Sequence, residues 1–154
     1  MTTQIAERVM SIENTMKQMP GAKIGDEAGA LRHFHTDDQY IRELFVPAGS
    51  LVVTKIHKKS HPVFIMTGDC SVMTVDGVRR IKAPYHMITP AGTKRIVYVH
   101  EDTVWVTVHS NPTGTKDLSK IEDEVIAKTF DDVPKNYIDA EVIGFIAEIE
   151  KEAL

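Results

Sequence analysis

The sequence predicts a mainly β protein: a small antiparallel β-barrel over residues 40–110, preceded by an N-terminal helix and followed by two C-terminal helices. Three observations predict this class. From Tyr40 to His109 the chain is a series of short β-rich runs cut by turn residues at intervals of about ten residues. That spacing indicates a sandwich or barrel rather than a βαβ fold. The flanking segments instead repeat their apolar residues at three- and four-residue steps, which is the helical period.

Composition bounds the alternatives. A chain of 154 residues has the length of one domain (1–154) and buries about two-thirds of its unfolded surface. A content of 42% hydrophobic and 26% charged residues excludes a disordered chain. No apolar run approaches the ~18 residues of a membrane span, and the first twenty residues lack the basic and apolar regions of a signal peptide. The single cysteine, Cys70, fits a reducing compartment. A formal charge of −4 supplies no general attraction for nucleic acid or anionic lipid. The expectation is a soluble cytoplasmic protein, with neither nucleic acid nor membrane as a partner.

Within residues 1–20, Ile5, Val9, Ile12, Met16 and Met19 form one helical face, ended by Pro20-Gly21. So short a helix needs the barrel or a second subunit to pack on. Residues 21–39, loosened by Gly21, Gly25 and Gly29, read as a loop leading into an edge strand; His33-x-His35 has metal-like spacing but is placed outside the barrel. The β series then runs YIRELFVPAG, SLVVTKIHK, PVFIMTG, CSVMTVDG, VRRIKAPYHMITPAG, TKRIVYVHED and TVWVTVHSNPTG, with Asp76-Gly77 as a hairpin signal. Over 115–154 the helical period returns. Asp117 can cap DLSKIEDEVIAKTF, whose Leu118, Ile121, Val125 and Ile126 share a face. After Asp131-Asp132-Val133-Pro134, a last helix places Ile138, Val142, Phe145, Ile146 and Ile149 on one stripe, a surface suited to making a homo-oligomer.

Two spaced motifs carry the chemistry. PAGSLVVTKIHKKSHPVFIMTG reproduces the intervals Gly, five residues, His, one, His, three, Glu, six, Gly; Gly49 and Gly68 are its glycines, Lys55 stands at the first His, His57 at the second and His61 at the Glu. PYHMITPAGTKRIVYV reproduces Gly, five, Pro, one, Gly, two, His, three, Asn: Pro84 takes the first place, Pro90 and Gly92 match, Arg95 replaces the His and Val99 the Asn. Over these ~50 residues the chain resembles the cupin superfamily, a jelly-roll barrel. The resemblance implies an RmlC-like barrel whose members hold iron, manganese, zinc or nickel with three histidines and a carboxylate. Most of those ligand identities are changed here.

The residues themselves place the site. Lys55 and His57, two apart on a strand, face the same way, and the short Lys58-Lys59-Ser60 connection returns His61 beside His57. His57 and His61 are therefore candidate metal ligands, and with Lys55 candidate catalytic groups. A third ligand would come from His86, His100, His109 or Glu43, although His109 shares parity with Trp105 and Thr107, where core packing is its plain role. Against a cation stand Lys55 and Arg95, which favour an anion. Arg95, Tyr85 and Tyr98 are then candidate substrate-binding groups, as in metal-free cupin epimerases that work by His acid–base chemistry; the His–Asp pair of those enzymes is absent. Structural readings stand beside these: Lys55 as a surface lysine, Arg95 pairing with Glu43 or Glu101, His100 in an acidic turn and Cys70 as a small buried hydrophobe.

Two functions stay open: a cupin binding or acting on a small polar or anionic molecule, with or without a divalent metal, and a non-catalytic oligomeric scaffold or sequestering protein. The strand sequences also look like small cupin-like proteins of tailed bacteriophages, which would imply a host cytoplasm or a virion.

Overall fold

The computed structural model describes residues 2–23, 29–74, 77–128 and 132. Helix α1 (Thr2–Gln18) is followed by strands β1 (Ala30–His35), β2 (Gln39–Val46), β3 (Leu51–Val53), β4 (Ile56–His57), β5 (His61–Thr74), β6 (Gly77–Lys82), β7 (Tyr85–Thr89) and β8 (Ile96–Ser110). A short helix α2 (Leu118–Val125) and strand β9 (Ile126–Ala127) come next. The main sheet runs β1-β2-β8-β5-β6, with β3 on β8 and β7 on β5; β4 and β9 form a separate pair. Pairing among the described residues is antiparallel throughout. The expected edge strand in residues 21–39 is β1, at one end of this order.

Strand alternation divides the residues between two faces. Tyr40, Arg42, Leu44 and Val46 of β2 face inward with Thr103, Trp105, Thr107 and His109 of β8, since the register pairs Tyr40 with His109 and Arg42 with Thr107. Val63 and Ile65 of β5 lie opposite Thr107 and Trp105. At one end the interior is apolar: Val46, Ile65, Cys70, Val72, Ile81, Val97 and Val99 form the core, with Leu44, Tyr85 and Trp105 against it. Cys70 is fully buried there, and burial pushes its thiol up to about 11, so it behaves as the small hydrophobe expected. At the other end the inward side chains are polar.

The motif glycines have a backbone explanation. Gly49, Gly68 and Gly92 all have positive φ, at 82°, 97° and 80°. Gly68 sits where β5 shifts register against β8, and a Cβ there would fall on the Thr103 hydroxyl and 2.6 Å from the Asp102 carbonyl oxygen. The β5–β6 hairpin brings Thr74 opposite Gly77, as the Asp76-Gly77 signal predicts.

Two features differ from the sequence expectation or lie beyond it. Asp117 caps α2, accepting from the Ser119 and Lys120 amides at 3.0 and 3.4 Å, but the helix ends at Val125 instead of running on to residue 130. Its β-branched Val125-Ile126 meets the open edge of β4: Ile126 and Ala127 pair with His57 and Ile56, and the Lys58 amide donates to the Val125 carbonyl at 2.8 Å. Long-range pairing overrides the local helical period there. The last predicted helix, over residues 138–154, lies outside the described residues. The N-terminal helix is fastened to the barrel by Glu13, which pairs at 2.9 Å with the Lys94 ammonium, buried at 4% exposure. Among the described residues no helix is long and apolar enough to cross a membrane.

Candidate metal centre

Three histidines meet at the polar end of the barrel. His57 comes from β4, His61 from the first residue of β5 and His109 from the end of the long β8. The β5–β8 register, extended two residues beyond Val63 opposite Thr107, sets His61 beside His109. Ring centroids are 4.2 Å apart for His57–His61, 4.6 Å for His61–His109 and 5.1 Å for His57–His109, the last pair stacked. One ring nitrogen from each lies within 4.8 Å of the other two, and all three residues are buried.

Two of the three rings are anchored by hydrogen bonds. His61 Nδ1–H donates to the Lys59 carbonyl at 3.3 Å. His109 Nε2 lies 2.9 Å from the Thr107 hydroxyl. His61 and His109 thus each place one ring nitrogen on a protein oxygen. The strand bearing His57 is itself held, because the Gly92 amide of the second motif donates to the His57 carbonyl at 2.8 Å.

Burial keeps the trio neutral. It is the largest influence on His57, pushed down to about 2, with the charges of His61, His109 and Arg42 acting the same way. His109 is lowered to about 3 by burial, then by His61 and Arg42. His61 is lowered by burial, partly offset by its bond to Lys59, and lowered further by Arg95. The neutral imidazole is the form that ligates metals.

The predicted site residues are distributed as follows. His57 and His61 come together. His109, one of four candidates for a third ligand, completes the group while also sharing the inner face with Trp105 and Thr107. The other three candidates lie elsewhere: His86 sits against Phe64, His100 bonds Ser71 Oγ at 2.6 Å, and Glu43 accepts from Arg32 Nε at 2.7 Å. Lys55 lines the cleft beside His57 and His109 and pairs there with Glu122 of α2. Arg95 is buried, donating from its guanidinium to Thr89 Oγ1 at 2.6 Å and from its amide to Thr54 Oγ1 at 2.8 Å. Tyr85 packs on the apolar core under the Arg79 guanidinium, and Tyr98 is exposed against His100; neither lines the cleft.

Sequence reasoning missed three groups. Arg42 lines the cleft beside His57 and His109, and the Tyr40-x-Arg42-x-Leu44-x-Val46 alternation is the signal that could have found it. His33 and His35 are not outside the barrel: β1 pairs with β2 so that both rings lie against Tyr40, and His33 Nδ1 is 2.7 Å from the Tyr40 hydroxyl. Tyr40 in turn stacks on His109, with ring centroids 6.0 Å apart.

No known family model and no curated protein matches the chain. Among solved structures it is similar to a mutant salicylate 1,2-dioxygenase from Pseudoaminobacter salicylatoxidans in complex with gentisate, at 10% identity over 83% of this chain and 35% of that one, TM-score 0.52. It is also similar to a cupin domain from Bordetella pertussis (16% identity, 57% and 98% of the two chains, TM-score 0.43) and to KdgF from Halomonas sp. (14%, 58% and 85%, TM-score 0.48). The fold is a cupin-type barrel. On that barrel the chain keeps His57 at a motif position, puts His61 at the carboxylate position and Arg95 at the second-motif histidine. The third imidazole of the group, His109, lies outside both spaced motifs.

Proposed function

We propose that His57, His61 and His109 hold a divalent transition metal — zinc, manganese, iron or nickel — and that the protein binds and acts on a small polar or anionic molecule in the cleft beside it. One observation carries the reading: the three buried imidazoles bring one ring nitrogen each to within 4.8 Å of one another, and His61 and His109 are each held by a protein oxygen. Anchored tautomers are what metal-ligating histidines require. Three protein ligands leave an open position, and a metal held so supplies Lewis acidity or an activated water. The chain's own residues do the rest. Residues of α2 and β9 line the cleft beside His57 and His109, the Lys55–Glu122 pair lies on its rim, and Arg95 helps keep His61 neutral.

Elemental analysis of protein purified without chelator tests this. A stoichiometric transition metal is expected, lost in His57→Ala, His61→Ala and His109→Ala alike; metal-free wild-type protein, or retention in the His109 variant, rejects it.

A second reading, an oligomeric scaffold or sequestering protein, draws on the outer face of the sheet. Phe34, Phe45, Phe64, Met66 and Ile88 are all exposed there, a surface that a second copy of the chain would cover. The two readings are compatible, and a monomer by light scattering would reject the second. A cytoplasmic setting, that of a phage-infected host, belongs to the same proposal and rests on the free, buried Cys70 and the strand resemblance.

A further inference from the structure

The cleft beside the three histidines contains two cations that differ in one respect. Lys55 is matched by Glu122. Arg42 is half-buried in the same wall, and among the described residues no carboxylate pairs with it; the nearby Glu43 points to the other face of the sheet, where it pairs with Arg32. Arg42 is held from both sides, by Thr107 across the β2–β8 register and His33 across the β1–β2 register. Leu118, Ile121 and Val125 of α2 line the same cleft. A guanidinium desolvated on one side keeps its full charge and presents a planar fork whose geometry matches a carboxylate in two parallel hydrogen bonds.

We infer that Arg42 is the anchor for the substrate's carboxylate, and that the substrate class is a small monocarboxylic acid whose apolar body lies against the α2 wall. The assignment rests on the cleft being the ligand site of the proposed function, and it adds the substrate class. A carboxylate on Arg42 lies beside His57 and His109, so the atoms next to it come within reach of the trio. A phosphate dianion would leave part of its charge unmatched by Arg42, and its compact body would not use the apolar wall. A neutral amide of the same shape would leave the guanidinium without a counterion.

Isothermal titration of the protein as purified, with metal content measured on the same samples, tests this using benzoate, benzamide and inorganic phosphate. Benzoate is expected to bind, with benzamide and phosphate at least tenfold weaker. Arg42→Gln is expected to weaken benzoate at least tenfold while leaving metal content at the wild-type level, and Arg42→Lys to lose a smaller share because charge without the fork remains. Any one of three results overturns the assignment: no benzoate binding by wild-type protein, unchanged benzoate affinity in Arg42→Gln, or phosphate or benzamide binding as tightly as benzoate. Should Arg42→Gln fail to fold by circular dichroism, Arg42→Lys decides, and equal affinity there overturns the fork. Loss of metal in the histidine variants is read separately, so failure of the metal centre and failure of the carboxylate anchor are distinguishable.

Discussion

Acidification should unfold the metal-free protein through its histidine trio, by an amount that follows from burial. His57 and His109 are neutral in the folded state down to about 2 and about 3, while their unfolded value is 6.5. Because the folded values are depressed, the unfolded chain binds more protons below pH 6.5, and stability falls as pH falls. Each such histidine contributes a slope approaching 1.4 kcal/mol per pH unit once the unfolded imidazole is fully charged. Between pH 6.5 and 5.5 the unfolded groups pass from half to almost fully protonated, so the loss is roughly 1 kcal/mol each and roughly 2 kcal/mol for the pair. The assay is urea unfolding of chelator-treated protein at pH 7.5, 6.5 and 5.5, beside a His57→Gln/His109→Gln variant. Carboxylates titrate alike in both proteins, so the difference between the two curves isolates the imidazoles. The wild-type protein should lose about 2 kcal/mol more than the variant across that last unit. Parallel curves would show that the rings are protonated or solvated in the folded state, and would refute the burial argument.

Two further outcomes follow from the packing. Gly68→Ala should cost about 3 kcal/mol or more, the left-handed backbone contributing about 1–2 of it and the collision with Thr103 and Asp102 the remainder. Gly49→Ala, at a similar φ in open space, should show the backbone share alone, and equal losses in urea melts would refute the steric account. Glu13→Gln should cost on the order of 3 kcal/mol by leaving the buried Lys94 ammonium unpaired. Adding Lys94→Met should recover much of it, and thermal melts of the single and double variants measure both.

What the sequence determined by itself is what a few neighbouring residues encode. Turn chemistry and period placed the barrel, the β5–β6 hairpin and the Asp117 cap, because each depends on local φ preferences and local side-chain period. The same locality brought His57 and His61 together across a three-residue connection, and the glycine intervals were legible because positive φ at Gly49, Gly68 and Gly92 demands that residue. Only the tertiary structure decided the rest. His109 joins the trio because the sheet order sets β8 between β2 and β5, and parity alone could not separate a ligand from core packing. Arg42 faces the histidines and Glu43 faces away for the same reason, one residue of register. Lys55 is paired with Glu122, and α2 stops at Val125, because β9 finds the free edge of β4. Those choices depend on which strands become neighbours, a property of the closed barrel that no window of adjacent residues contains.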